Sequence, residues 1–373
     1  MVNIEKRVLA RGLSIALVGL SSLAAALAAQ QPQHYTQTNL VSDTPGMAAT
    51  TDPNLVNPWG LSRSSGSPWW ISDNGPGLTT LYSGTGAAAS LVVTIPPADS
   101  STGAGGTPTG QIFNGTSDFQ LAPGAPAKFI FVTEDGTISG WNPNVNATSA
   151  VIKVNTKSES VFKGVAVATV VDPTLGAFNF LYVADFRKGR VDVYDTSFHR
   201  VPLGEDAFQD ERIPRGFAPF NVHNIGGNLF VAFAQQDSAK HDEVDGPGLG
   251  YVDVFAPTGH LLMSLQSGQW FNAPWGIAQA SGDFGAYSHD ILVGQFGSGQ
   301  ILVFDPINGR YKGNLVDSTN APIAIDGLWG LAFGSGGGSG PANSLYFTAG
   351  PGGEQHGLFG TITPVENVLG GDH

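Results

Sequence analysis

Short apolar runs and polar, glycine-containing turns follow one another along most of the chain, always in the same order. "WWISDNGPGLTTLYSGTG" (69–86), "LYVADFRKGRVDVYDTSF" (181–198) and "ILVGQFGSGQILVFDPINGR" (291–310) each open with an apolar run. That run ends on a polar residue, a turn with Gly follows, and an alternating run comes next. Alternation, β-branched and aromatic residues, and Gly/Asn/Asp turns mark strands.

The period is set by a second phrase: "NPWGLS" (57–62), "APWGIA" (273–278) and "GLWGLA" (327–332). Trp275 and Trp329 stand 54 positions apart, and Trp59 and Trp275 stand 216 apart, four times that spacing. Missing copies are therefore due near 113, 167 and 221, where "PTGQIF" (108–113), "FKGVAVA" (162–168) and "APFNVHNI" (218–225) occur. Most copies add a fourth apolar run, such as "SLVVTI", "AVIKVN" or "HLLMSL". Six copies of four strands predict an all-β six-bladed β-propeller over residues 29–366, because a blade buries both its faces only against neighbours in a ring. The sixth copy stops after its third strand near Pro364, and "QTNLVSDTPG" (37–46) resembles the fourth-strand phrase "KGNLVDSTNAP" (312–322). The N-terminal strand is thus expected to complete the last blade and cover its open edge.

Residues 1–28 stand apart. A basic start, an apolar run and small residues at Ala26 and Ala28 have the layout of a secretory signal peptide. Cleavage there implies export to the periplasm or exterior, and residues 367–373 form a short tail. The tail shows no apolar helix with a basic end, which argues against C-terminal membrane sorting or a stable anchor.

Composition sharpens this picture. The whole chain has a net charge of −13. Removing residues 1–28 takes basic residues from 17 to 14 and acidic ones from 30 to 29, giving −15. So acidic a surface repels phosphate backbones, so nucleic acid is not an expected partner. A small molecule, a glycan or a protein is expected instead, with the chain itself a monomer. The chain has no cysteine, which excludes disulfides, thiol catalysis and thiolate metal sites. It also has no glycine-rich phosphate loop between strand and helix, no His-Glu-x-x-His and no Gly-x-Ser-x-Gly.

"LYVADFRKGRVDVYD" resembles a repeat of the NHL type. "NLVSDTPG", "NPWGLS", "WISDNGPGLTTLYSG", "FNVHNIGGNLFVAFA" and "QQDSAKHDEVDGPGLGYVDVFAPTGHLL" are more closely similar to an uncharacterised family of secreted bacterial propellers, some of which carry a PEP-type C-terminal sorting signal. The resemblance spans nearly the whole chain after residue 28. It implies fold and export and carries no activity with it.

In a propeller, the loops entering the first strand and those joining the second to the third open on one face, around the channel mouth. The first set holds Asn57, Trp59, Asn221, Asn272, Trp275, Asp326 and Trp329. The second holds Asp73, Asn74, Glu134, Asp135, Asp185, Arg187, Gln235, Asp237, Gln295, Glu354 and His356. Asn57, Trp59, Asp73, Asn221, Asp237, His241, Asn272, Trp275, Asp326 and Trp329 are the candidate ligand contacts. The three Trp residues can stack on a sugar or hold a cation. Repeated at one strand start, they are also expected to fill space between blades.

Blade four breaks the pattern with "AQQDSAKHDEVDGPGLG" (234–250), which crowds Asp237, Lys240, His241, Asp242, Glu243 and Asp245 into one loop. Asp237, Asp242 and Asp245 are candidate ligands for a divalent cation such as Ca²⁺, although the spacing fits no strict ion loop. Lys240 and His241 beside carboxylates are candidate acid–base groups. Glu354 and His356 in "GPGGEQHG" (350–357) would point the same way in an extended segment. That pair is similar to the Glu-x-His pair of the streptogramin lyase propellers.

Two readings follow. One is a non-catalytic scaffold that binds a ligand or partner on its acidic rim. The other is an enzyme, either a metal-dependent lactonase or hydrolase, or a lyase. A lactonase needs carboxylate and Asn ligands that converge in the channel, for which Asp326, Asn57, Asn221 and Asn272 are the candidates. The Glu of the lactonase pattern at the start of blade one is absent, since that position reads "NPWG".

Overall fold

The computed structural model describes residues 33–204 and 206–365, so the expected signal segment 1–28 and the tail 367–373 lie outside the described residues. Six antiparallel sheets form the six blades. The first runs Pro58–Ser62, Trp69–Asp73, Leu78–Tyr82 and Val93–Thr94 from channel to rim. The first strands of the others are Pro108–Phe113, Phe162–Asp172, Phe217–Ile225, Pro274–Gln279 and Leu328–Phe333. Each matches a predicted copy.

The ring closes as expected. Tyr35–Ser42 pairs antiparallel with Leu358–Pro364 and becomes the fourth strand of blade six. A short fifth strand, Thr50–Thr51, then lies parallel to it. Closure pairs an edge that would otherwise invite another chain.

The middle strands read as continuous apolar runs because each serves two neighbours. In blade four, Leu229, Val231 and Phe233 pack toward blade three, while Phe230 and Ala232 pack toward blade five. Successive side chains leave opposite faces of a strand, so both faces are buried. The same holds around the ring, with one apolar cluster at each of the six blade interfaces. A seventh cluster lies on the axis and joins Trp59, Phe220, Trp275 and Trp329 with Phe186 and Ala218.

The repeated Gly after the aromatic residue follows from how closely the first strands approach one another. A β-carbon on Gly60 would stand 2.5 Å from the carbonyl oxygen of Thr109 in the next blade. On Gly110 it would stand 2.8 Å from the Cα of Gly164, and on Gly330 2.8 Å from the carbonyl oxygen of Trp59. Blade four has Asn221 at this position. Its side chain spans the gap, Nδ2 donating to the Trp275 carbonyl of blade five at 2.9 Å.

The atoms nearest to a Gly110 β-carbon are all backbone, those of Gly164 and Val165, so the site cannot relax cheaply. Gly110→Val should lower unfolding free energy by about 1–3 kcal/mol. Gly66→Ala, with nothing within 4 Å of the added carbon, should stay within about 0.5 kcal/mol. Denaturant titration of the two variants checks this.

Candidate functional site

The six first strands bring equivalent residues to the axis: Trp59, Thr109, Lys163, Phe220, Trp275 and Trp329. Four of them are aromatic and form a plug, and a fifth, Thr109, is small and buried. Trp59 and Trp329 stack with centroids 3.5 Å apart, and Trp275 meets Trp59 edge-on at 5.7 Å. Phe296 stacks on the outer side of Trp329 at 4.1 Å. All three Trp residues are buried. They are therefore not a platform open to a sugar, and they close the channel between its two ends.

The sixth residue is a lysine. Lys163 is fully buried, and its Nζ lies 4.7 Å from the Trp59 ring centroid and 5.9 Å from those of Phe186 and Phe220. It pairs with Glu134 Oε1 at 2.6 Å and Asp242 Oδ1 at 3.2 Å. Burial alone would depress its pKa. Glu134, Glu243 and Asp242 together outweigh that and hold it above the ordinary lysine value. The ring that was expected to receive a cation does hold one, supplied by the chain itself.

Polar contacts spread outward from this ammonium. Glu134 Oε2 accepts from Asn74 Nδ2 at 2.8 Å. Asn57 Nδ2 donates to Glu354 Oε2 at 2.7 Å, and Asn57 Oδ1 accepts from Trp329 Nε1 at 3.1 Å. On the solvent side, Asp242 Oδ1 also meets His241 Nδ1 at 2.8 Å. His241, then Lys163, hold Asp242 down to about 2, and Asp242 in turn raises His241. Burial pushes Glu243 up to about 7, and it also raises Glu354.

The blade-four loop is built rather than loose. Glu243–Val244 forms an extra short strand on Gln235 and Gln236. Asp237 Oδ1 accepts from the His241 amide at 2.8 Å. Asn272 Oδ1 accepts from the Gly246 amide at 2.6 Å. Together these contacts fold the loop over the mouth and carry Asp242 to Lys163.

Several expected groupings come out differently. Asp237, Asp242 and Asp245 do not form one cation site. Glu134, His241 and Asp242 instead bring ligand atoms within 4.8 Å of one another. Asp237 caps its own turn, and Asp245 and Lys240 are exposed. Glu354 and His356 do not act as a pair, because Glu354 sits in a turn at φ +66° rather than in a strand. Glu354 turns inward to Asn57, while His356 Nδ1 faces Asp43 Oδ2 at 2.9 Å. Asn57, Asn221, Asn272 and Asp326 do not converge: Asn221 bonds Trp275 and His223, Asn272 pins the loop, and Asp326 caps the Gly352 amide. Asp73 is completely buried inside blade one, where burial holds its carboxyl well above the usual range.

Lys163 is the residue that the sequence reading passed over. "FKG" aligns with "PWG", so a charge at an aromatic plug position was the available signal.

Two predictions follow from this geometry. Lys163→Met strands three carboxylates and should cost about 3–5 kcal/mol, with Lys163→Met/Glu134→Gln recovering part of it. Denaturant unfolding of both variants checks this. Glu243 takes up its proton near pH 7 when folded, against 4.5 ordinarily. The folded chain therefore holds more protons across that window, and stability falls as pH rises through it. Glu243→Gln should flatten this slope and add about 1–2 kcal/mol at pH 8. Asp253, pushed up to about 7 by burial, keeps part of the slope in the variant. Melting temperatures from pH 4.5 to 8 read the difference.

No family model matches the chain. It is 33% identical over 305 residues to the uncharacterized protein R648 of Acanthamoeba polyphaga mimivirus, covering 79% of this chain and 72% of that one. It is 32% identical over 303 residues to the uncharacterized protein L690 of the same virus, covering 79% and 77%. These relatives are viral, where a bacterial family was expected. Among solved structures, a streptogramin B lyase superposes with a TM-score of 0.50 at 12% identity, covering 89% of this chain and 98% of that one. A Bacteroides thetaiotaomicron protein of unknown function gives 0.53 at 12%, covering 90% and 77%. These likenesses show the propeller fold.

Proposed function

The chain belongs to the family of the uncharacterised mimivirus proteins R648 and L690, and from that premise we propose that it is a non-catalytic binding propeller whose acidic channel mouth takes a cationic group. One observation carries this reading. Glu134, Asp242, Glu243 and Glu354 surround a single ammonium and a single imidazole. The carboxylates outnumber the cations, burial raises Glu354, and Glu243, pushed up to about 7, is held partly protonated near neutrality. An arriving cation would let Glu243 ionise, so binding and proton release are linked. The cation is carried by a small molecule, a glycan or a protein. A divalent metal such as Ca²⁺ would compete with Lys163 for the oxygens of Glu134 and Asp242, which favours an organic cation. Export through residues 1–28 belongs to the same proposal.

One observation favours an acid–base enzyme as the second reading: Glu243, poised near neutrality, interacts with the Lys163 ammonium at the mouth.

Isothermal titration with spermidine, calcium chloride and neutral 1,4-butanediol at pH 5, pH 7 and pH 8 tests the reading. Spermidine should bind at pH 8, release protons on binding at pH 7, and weaken about tenfold or more at pH 5 or in Glu243→Gln. Butanediol should not bind. Absence of spermidine binding, or binding indifferent to pH, would overturn the proposal. Turnover of a lactone or ester panel, lost in Glu243→Gln, would establish the enzyme instead.

A further inference from the structure

The aromatic plug leaves a second chamber at the opposite end of the channel. A cavity of about 470 Å³ opens there on the face where the first strands end. All six first strands line it, through Leu61, Ile112, Val165, Ile225, Ile277 and Leu331 among others. The volume lies within the range of small-molecule pockets, roughly 300–1,000 Å³.

The lining contains no Asp or Glu, in a chain with a net charge of −13. It does contain Arg63, whose Nε donates to the Phe333 carbonyl at 2.8 Å and whose Nη2 donates to the Gly334 carbonyl at 2.9 Å. Its guanidinium also lies over the Trp69 ring, 5.5 Å from the centroid. The fork is thus held in place, yet no carboxylate pairs with it among the described residues. Two of its five N–H groups are used, and the others remain for a bidentate partner.

His223 lines the deep end, against Trp275. Asn221 fixes its state. Asn221 Oδ1 accepts from the Val222 amide at 2.8 Å and its Nδ2 donates to the Trp275 carbonyl at 2.9 Å, so Nδ2 must also donate to His223 Nε2 at 3.0 Å. Burial pushes His223 down to about 4, so the ring is neutral at pH 7. Arg63 is then the one formal charge on the lining.

We propose that this lower chamber binds a small monocarboxylate with an apolar body, its carboxylate on Arg63 and its body against the aliphatic wall. A fixed guanidinium without a counter-charge selects an anion, and the planar fork can hold a carboxylate bidentately. The apolar wall excludes a bare inorganic ion, which would lose hydration without gaining partners. This site lies on the other side of the plug from the acidic mouth and does not rest on the function proposed for that mouth.

The test uses the full chain and three matched probes, phenylacetate, phenylacetamide and phenethylamine, by isothermal titration at pH 7. Phenylacetate should bind at least about tenfold more tightly than the amide, and the amine should not bind. Arg63→Gln should abolish the preference for acid over amide. Ile112→Trp should fill the chamber and abolish binding of both. Equal affinity for acid and amide, no binding of phenylacetate, or a preference that survives Arg63→Gln would overturn the proposal. If melting shows that Arg63→Gln does not fold, the wild-type preference and Ile112→Trp decide alone.

Discussion

A single ammonium buried on the axis governs the upper half of this molecule. Taking a lysine out of water costs several kcal/mol before any partner is counted. Lys163 is retained because Glu134 stands at 2.6 Å, Asp242 at 3.2 Å and the Trp59 face at 4.7 Å. Those partners come from different blades and from the blade-four loop. The charge therefore ties together elements that the backbone ladder does not connect. Without it, only His241 would be left to balance the carboxylates around the mouth.

The same axis position explains the division of the channel. Aromatic residues at four of the six equivalent sites seal the middle, and the glycines that follow let the first strands close tightly enough for the rings to touch. The upper mouth is then rich in carboxylates and centred on a lysine. The lower chamber is lined by aliphatic residues, with one arginine and no acid. Ring geometry thus gives the two ends opposite electrostatic characters.

Much of this architecture was legible in the sequence because it repeats. The spacing of Trp59, Trp275 and Trp329 placed all six blades, and the likeness of residues 37–46 to 312–322 placed the closing strand. Packing of the Trp residues followed from the same repetition. The site was less legible because side-chain direction depends on contacts between blades. Glu354 and His356 read as one pair but turn apart, since a left-handed residue in the turn sends them to Asn57 and Asp43. Asp237 reads as a metal ligand but is occupied by its own loop's amides. Lys163 carries no motif, and its importance shows only once its repeat position is aligned with the plug. The lower chamber left no local signal at all, because each first strand contributes only two or three residues to it.

The central claim is that Lys163 stays charged because it is held among carboxylates and aromatic faces. Carbon-13 labelling of the lysine side chains, with Lys163→Arg to assign the signal, tests it by nuclear magnetic resonance titration. The account predicts that the Lys163 Cε resonance keeps its ammonium position through pH 10.5, the ordinary lysine value, while exposed lysines titrate. Titration of Lys163 below that value would show that burial outweighs its partners, and would contradict the account.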